Sequence, residues 1–332
     1  MKHVIMPLLL ATVLFAGTDL FAQHHYQVKQ SFPVYGMGKW DYIAVGPDGN
    51  LYVSNRTRVN IINKNTGDSV GIIPDTDGVH GIAFVTSLNK GYTSNGNANN
   101  VTVFDIPTHK ELRQITTGEN PDAISYEPWS GKIITCNGRS KDLSVIDPKT
   151  DKVVASIRVE GRPETAVADG KGMLYVNIED KSEIVAVNMK NNTVMHRWSL
   201  APAEGPTGLA FDRSTQRLFA GCDKMLVVLN AVNGKIVAKL PIGEGCDGVA
   251  FDNSTKEIFT SNGEGTMTAI KEKTANDFSI EENVTTQKSA RTIAIDESTH
   301  TIYLPAAELE PATEPGKRPA AKPETFKVLV VK

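Results

Sequence analysis

Apolar residues along this chain fall in short runs, many alternating with polar residues, and the runs are bounded by clusters of Asp, Asn, Gly and Ser. Helical periodicity is absent, so the pattern predicts β-strands joined by tight turns. Residues 208–211, 217–221, 225–229 and 235–240 illustrate it as four successive strands separated by turn-forming residues. Other hairpins are marked by Asn65-Thr66-Gly67, Pro148-Lys149-Thr150-Asp151, Asn191-Asn192 and Asn233-Gly234, residue types that tolerate tight-turn backbone angles.

The strands are organised by a repeat. An aromatic or apolar residue, a β-branched or small residue, a small residue and Asn recur as Tyr52-Val53-Ser54-Asn55, Tyr92-Thr93-Ser94-Asn95, Ile134-Thr135-Cys136-Asn137 and Phe259-Thr260-Ser261-Asn262. Degenerate copies are Tyr175-Val176-Asn177-Ile178, Phe219-Ala220-Gly221-Cys222 and Tyr303-Leu304-Pro305-Ala306, which gives steps of 40, 42, 41, 44, 40 and 44 between fourth positions. Such a period matches one four-stranded propeller blade. The chain is therefore expected to be all-β, a seven-bladed β-propeller of antiparallel blades. The seventh unit supplies only three strands, at 292–295, 301–304 and 326–331, while a spare strand at 26–34 carries Phe32-Pro33-Val34, the counterpart of Leu240-Pro241-Ile242. That N-terminal strand is predicted to complete the last blade and close the ring, making 23–332 a single domain. The one large departure is a Pro-rich insertion at 306–325, containing Pro311, Pro315, Pro319 and Pro323, expected as an irregular solvent loop on the same face as the motif.

With four good copies of the motif, the sequence resembles the YVTN-repeat β-propeller family over nearly all of its length after residue 22. The resemblance implies a periplasmic or surface-layer-like propeller. The phrase Gly46-Pro47-Asp48-Gly49-Asn50-Leu51-Tyr52 is also similar to the repeat phrase of streptogramin lyase propellers, as a turn and strand rather than a catalytic signature.

Residues 1–22 pair an early lysine with an apolar run from Val4 to Ala16 and end in Leu20-Phe21-Ala22, the pattern of a secretory signal peptide cleaved after Ala22. Because the run is shorter than a spanning helix needs, no transmembrane anchor is expected after cleavage. The protein is predicted to be periplasmic or secreted, and a monomer. A formal net charge of -3 with no basic stripe argues against nucleic acid as a partner. Three cysteines, Cys136, Cys222 and Cys246, are too few for a disulfide framework, although a Cys222–Cys246 bridge stays open beside buried free thiols.

Aligning the units places Asp41, His80, Asp122, Glu164, Thr207, Asp247 and Arg291 at the start of successive innermost strands. The second ring, Asn55, Asn95, Asn137, Ile178, Cys222, Asn262 and Ala306, falls on the same face. Asp41, His80, Asn95, Asp122, Asn137, Glu164, Asp247 and Arg291 are thus the candidate ligand-binding residues of a channel mouth, with corner-tying hydrogen bonds as the structural reading of the Asn ring. Four carboxylates around a channel need a cation, a proton or a partner. A divalent metal (Ca²⁺, Mg²⁺, Mn²⁺ or Zn²⁺) held by His80, Asp122, Glu164 or Asp247 is one answer, and calcium-dependent lactonase propellers have a channel-mouth site of this broad type. Solvated or Arg-paired carboxylates are the other. No nucleophile elbow, zinc-protease helix, phosphate-binding Gly loop or haem-attachment motif is present. The leading expectation is a binding propeller that takes a small ligand or a protein partner at the mouth. A metal-dependent hydrolase or lyase, with Arg291 neutralising an anionic substrate, and a cell-surface structural protein are the alternatives.

Overall fold

A computed structural model describes residues 25–36, 38–312 and 319–332. The expected signal peptide lies outside the described residues.

Each repeat folds as a four-stranded antiparallel sheet. In blade three, Pro121–Glu127 is innermost, followed outward by Lys132–Asn137, Asp142–Asp147 and Lys152–Arg158. The seven sheets occupy residues 43–73, 79–116, 121–158, 163–199, 209–241, 246–285 and 294–331, the last joined by 28–33. Innermost strands touch in chain order and the seventh touches the first, which closes the ring.

The repeat motif explains why the blades stack. Its first position is an aromatic in six blades, and Tyr52, Tyr92, Tyr175, Phe219, Phe259 and Tyr303 are all buried. Several of these rings reach the next blade: Tyr52 meets Phe84 at 4.9 Å, Tyr175 meets Phe211 at 5.6 Å and Phe219 meets Phe251 at 5.2 Å. Burying one such ring stabilises the stack by about 3 kcal/mol.

The N-terminal strand Val28–Pro33 pairs antiparallel with Lys327–Val331, with Phe32 opposite Val328. Pro33 is accommodated because this is an outer strand with no further neighbour. Gln27 and Lys332 then exchange backbone hydrogen bonds at 2.9 and 3.2 Å.

The Pro-rich segment is more regular at its base than expected. Leu309 bridges Ala321, Glu310 N–H donates to Ala320 O at 2.8 Å and Lys322 N–H donates to Glu308 O at 2.7 Å. This stem forms because its donors are not prolines: Pro311, Pro319 and Pro323 flank the bonded rungs. Among the described residues, no helix is long and apolar enough to cross a membrane.

Candidate functional site

The ring of strand starts converges because of a recurring backbone irregularity. In blades two, three, four and six the pairing with the second strand slips between Val79 and Ile82, Pro121 and Ile124, Pro163 and Ala166, and Cys246 and Gly248. His80, Asp122, Glu164 and Asp247 lie inside those slips. A bulge of this kind bends a strand and re-aims its side chain, and here it turns each polar group off the sheet toward the neighbouring blades.

The groups then pair across blade boundaries. His80 Nδ1 lies 2.6 Å from Asp41 Oδ2 and 3.7 Å from Asp122 Oδ1. Arg291 reaches Asp41 at 3.3 Å and Asp247 at 3.1 Å, and its Nη2 also donates to Trp40 O at 3.1 Å. An ionic chain thus runs from blade two through blades one and seven to blade six. Trp40 stacks on Phe326 at 5.2 Å, so the base of the Pro-rich segment abuts this chain. On the other side of the ring, Glu164 is 3.8 Å from Arg162, whose closer partner is Glu179. Thr207 carries no charge and donates to Cys246 O at 2.7 Å.

His80 is held from behind by Gly96, where a Cβ would stand 2.7 Å from the ring Nε2. Burial works against its charge, but the hydrogen bond it donates to Asp41 and the fields of Asp122 and Asp41 prevail over Arg291 and push its pKa up to about 9. Burial dominates Asp122 instead. With Asp41 and Asp247 adding to it against His80 and Arg291, its carboxyl is pushed up to about 7. Burial, Asp122 and Glu179 likewise hold Glu164 well above the usual carboxylate range.

Tyr42 was not among the expected residues. It comes from blade one, yet it packs against the apolar cluster of blades three and four, which contains Ala123, Cys136, Ala166 and Val176. Burial and the charges of Asp122, Glu164, Asp41 and Asp247 raise its phenol well above the ordinary value. Packed there, it lies within the fields of carboxylates from blades one, three, four and six. The repeat does carry a signal for it: the position after each ring residue is Gly81, Ala123, Thr165, Gly208, Gly248 or Thr292 in the other blades.

Asn95 and Asn137 require a correction. Both are fully buried within their own blades and do not face the mouth. Asn95 donates to Asn100 and Thr102, each at 2.8 Å, and accepts from Thr93 at 2.9 Å. Asn137 donates to Asp142 and Ser144, each at 2.9 Å, and accepts from Thr135 at 2.9 Å. The fourth motif position ties the second strand to the third. It is the third position that turns to the inner strands: Ser94 Oγ donates to Asp122 O, Ser261 Oγ to Arg291 O at 2.5 Å, and Asn177 Nδ2 to Thr207 O at 3.0 Å. In blade five that position is Gly221, because a Cβ there would meet Cys246 Sγ at 2.7 Å. Cys136, Cys222 and Cys246 are separate buried thiols, so the Cys222–Cys246 bridge does not form.

As for a metal, ligand atoms of Asp41, His80 and Asp122 lie within 4.8 Å of one another. Of the four residues expected to hold an ion, only His80 and Asp122 join this group among the described residues; Glu164 and Asp247 do not.

No family model matches the chain, and no curated protein is found to resemble it. Solved structures do. A chain described as Kuenenia stuttgartiensis hydrazine synthase superposes with a TM-score of 0.72 at 15% identity, covering 81% of this chain and 93% of that one. A chain from a mitotic checkpoint complex gives a TM-score of 0.76 at 11% identity, covering 100% of this chain and 98% of that one. At these identities the likeness is one of fold, the seven-bladed β-propeller, which hosts many unrelated activities.

Proposed function

We propose that the protein is an exported binding propeller that takes a small cationic ligand at the mouth of its channel. The leader-like pattern of residues 1–22 supports the export part of this reading. The observation that carries the binding reading is the unequal sharing of charge around the ring. His80 sits closer to Asp41 than to Asp122, and Arg162 sits closer to Glu179 than to Glu164. Asp122 and Glu164, neighbours on blades three and four, are left with only the more distant contact, at 3.7 and 3.8 Å, of a cation that sits closer to another acid. A positively charged group entering between them would replace the protons they otherwise hold.

Calorimetry with small organic cations and divalent metal ions on the purified protein tests this reading. A cation should bind, and Asp122→Asn with Glu164→Gln should abolish its binding while the fold persists. Failure of every cation to bind would sink the reading.

A second reading, a metal-dependent hydrolase or lyase, draws on the close grouping of Asp41, His80 and Asp122. Elemental analysis of the protein before and after His80→Ala and Asp122→Ala decides it. Metal retained by the wild type and lost from both variants would favour it.

A further inference from the structure

We infer that Tyr42 is the floor of this site and that the cation selected there is a small organic ammonium ion, an inference that rests on the cation reading above. The argument begins with the repeat. Six blades place Gly, Ala or Thr directly after the ring residue, small enough to leave the channel open. Blade one places a tyrosine there, and its side chain crosses to pack on blades three and four, the two that carry Asp122 and Glu164. Tyr42 is only partly buried. An aromatic side chain is therefore packed on the two blades whose carboxyls have the most distant cations.

That pairing suits one kind of cation better than another. A bare Ca²⁺ or Mg²⁺ requires about six or more oxygen ligands at short range. The amide carbonyls that could complete such a shell, those of Asn95 and Asn137, are consumed inside their blades. His80 has its Nδ1 committed to Asp41 and its Nε2 against Gly96, while the Arg291 guanidinium stands 3.3 Å from Asp41 and repels a second cation there. An ammonium ion asks for less. Its N–H groups donate to Asp122 and Glu164, and its weakly hydrated alkyl end rests on the aromatic ring, whose face attracts positive charge. Tyr42 is thus a specificity-determining residue: it closes the space a hydrated ion would fill and offers a surface that favours an organic one.

Titration calorimetry with n-propylammonium, its neutral counterpart n-propanol, and Ca²⁺, Mn²⁺ and Zn²⁺ separates the possibilities. Propylammonium should bind and propanol should not. Tyr42→Phe, which keeps the ring, should bind within about twofold of wild type, and Tyr42→Leu should bind about tenfold more weakly. Circular dichroism establishes that each variant folds. If Tyr42→Leu does not, 3,5-difluorophenylalanine at position 42 keeps the shape and weakens the ring face, and should also lower affinity relative to Tyr42→Phe. Metal binding without ammonium binding would overturn the inference and leave the cation reading standing. Binding of neither would overturn both. Equal ammonium affinity in every variant would overturn the role given to Tyr42.

Discussion

The two faces of the propeller treat their carboxylates in opposite ways. Away from the mouth, the innermost strands of blades five, six and seven end in the same phrase: Asp212-Arg213-Ser214-Thr215, Asp252-Asn253-Ser254-Thr255 and Asp296-Glu297-Ser298-Thr299. Each Asp accepts its own turn, from Ser214 N–H at 2.7 Å, Ser254 N–H at 2.9 Å and Ser298 N–H at 3.1 Å. Each also has one cation from the next blade: Lys256 at 2.9 Å, His300 at 2.6 Å and Lys64 at 2.6 Å. Burial opposes ionisation there too, but the turn donors and the paired cation overcome it. Asp212 and Asp252 are held below the usual range and Asp296 down to about 2. At the mouth Asp41, Asp122 and Asp247 share His80 and Arg291, Glu164 has only the more distant contact of Arg162, and burial prevails at Asp122 and Glu164. Acids satisfied one by one belong to the scaffold. Acids left short of partners by the same fold are a cost to stability, and this contrast is what the binding proposal rests on.

The sharpest way to break this comparison is to remove one acid from each face. Asp212→Ala deletes a fully buried carboxylate that bonds Ser214 and Thr215 and strands Lys256, so denaturant unfolding should show a loss of about 3 kcal/mol or more. Asn95→Ala tests the corrected assignment. It leaves Thr93, Asn100 and Thr102 without their buried partner, at a cost of about 2 kcal/mol, with ligand affinity at the mouth unchanged. Asp122→Asn carries the opposite sign, because it replaces an acid that burial disfavours with a neutral isostere. Unfolding should show a gain of about 1 kcal/mol, and a loss of stability like that of Asp212→Ala would erase the distinction between the faces.

The smallest effect is on pH dependence, and its direction also differs between faces. Asp122 is raised from 3.8 to about 7, so its contribution is full below pH 3.8 and is lost as pH rises through 7. His80 is raised from 6.5 to about 9, and its contribution, full below pH 6.5, is lost as pH rises through 9. Asp296, lowered from 3.8 to about 2, contributes above pH 3.8 and loses that contribution as pH falls through 2. Melting temperatures should therefore decline from pH 4 toward 9, and Asp122→Asn should flatten the part of that decline below pH 7.

The fold could be read from the sequence because the motif's buried aromatic recurs in six blades and its corner Asn in four, so that seven weak signals share one period. The spare strand at 26–34 was legible for the same reason: Phe32-Pro33-Val34 copies the end of an outer strand. The ring of Asp41, His80, Asp122, Glu164, Asp247 and Arg291 was legible as a set. Its pairing was not, because which acid meets which base depends on bulges and on reach across blade boundaries. Asn95 and Asn137 misled because adjacent strand residues face opposite ways: Ser94 turns to the next inner strand while Asn95 turns back into its own sheet. Tyr42 escaped notice beside Asp41, where a tyrosine reads as the start of an ordinary strand. Only comparison with the six small residues at its aligned position exposes it.

The clasp that closes the ring has a mechanical consequence. In its ladder Val28 lies opposite Val331 and Pro33 opposite Lys327, so the outer ends of the two paired strands lie at the same edge. Tension applied to those ends does not shear the ladder. It peels the rungs apart in sequence, beginning with the Gln27–Lys332 pair, so each rung meets the full force alone. A pull between blades two and five would instead be shared among many strands at once. The propeller is thus a ring with one zip, soft when tugged by its tails and stiff when gripped by its rim.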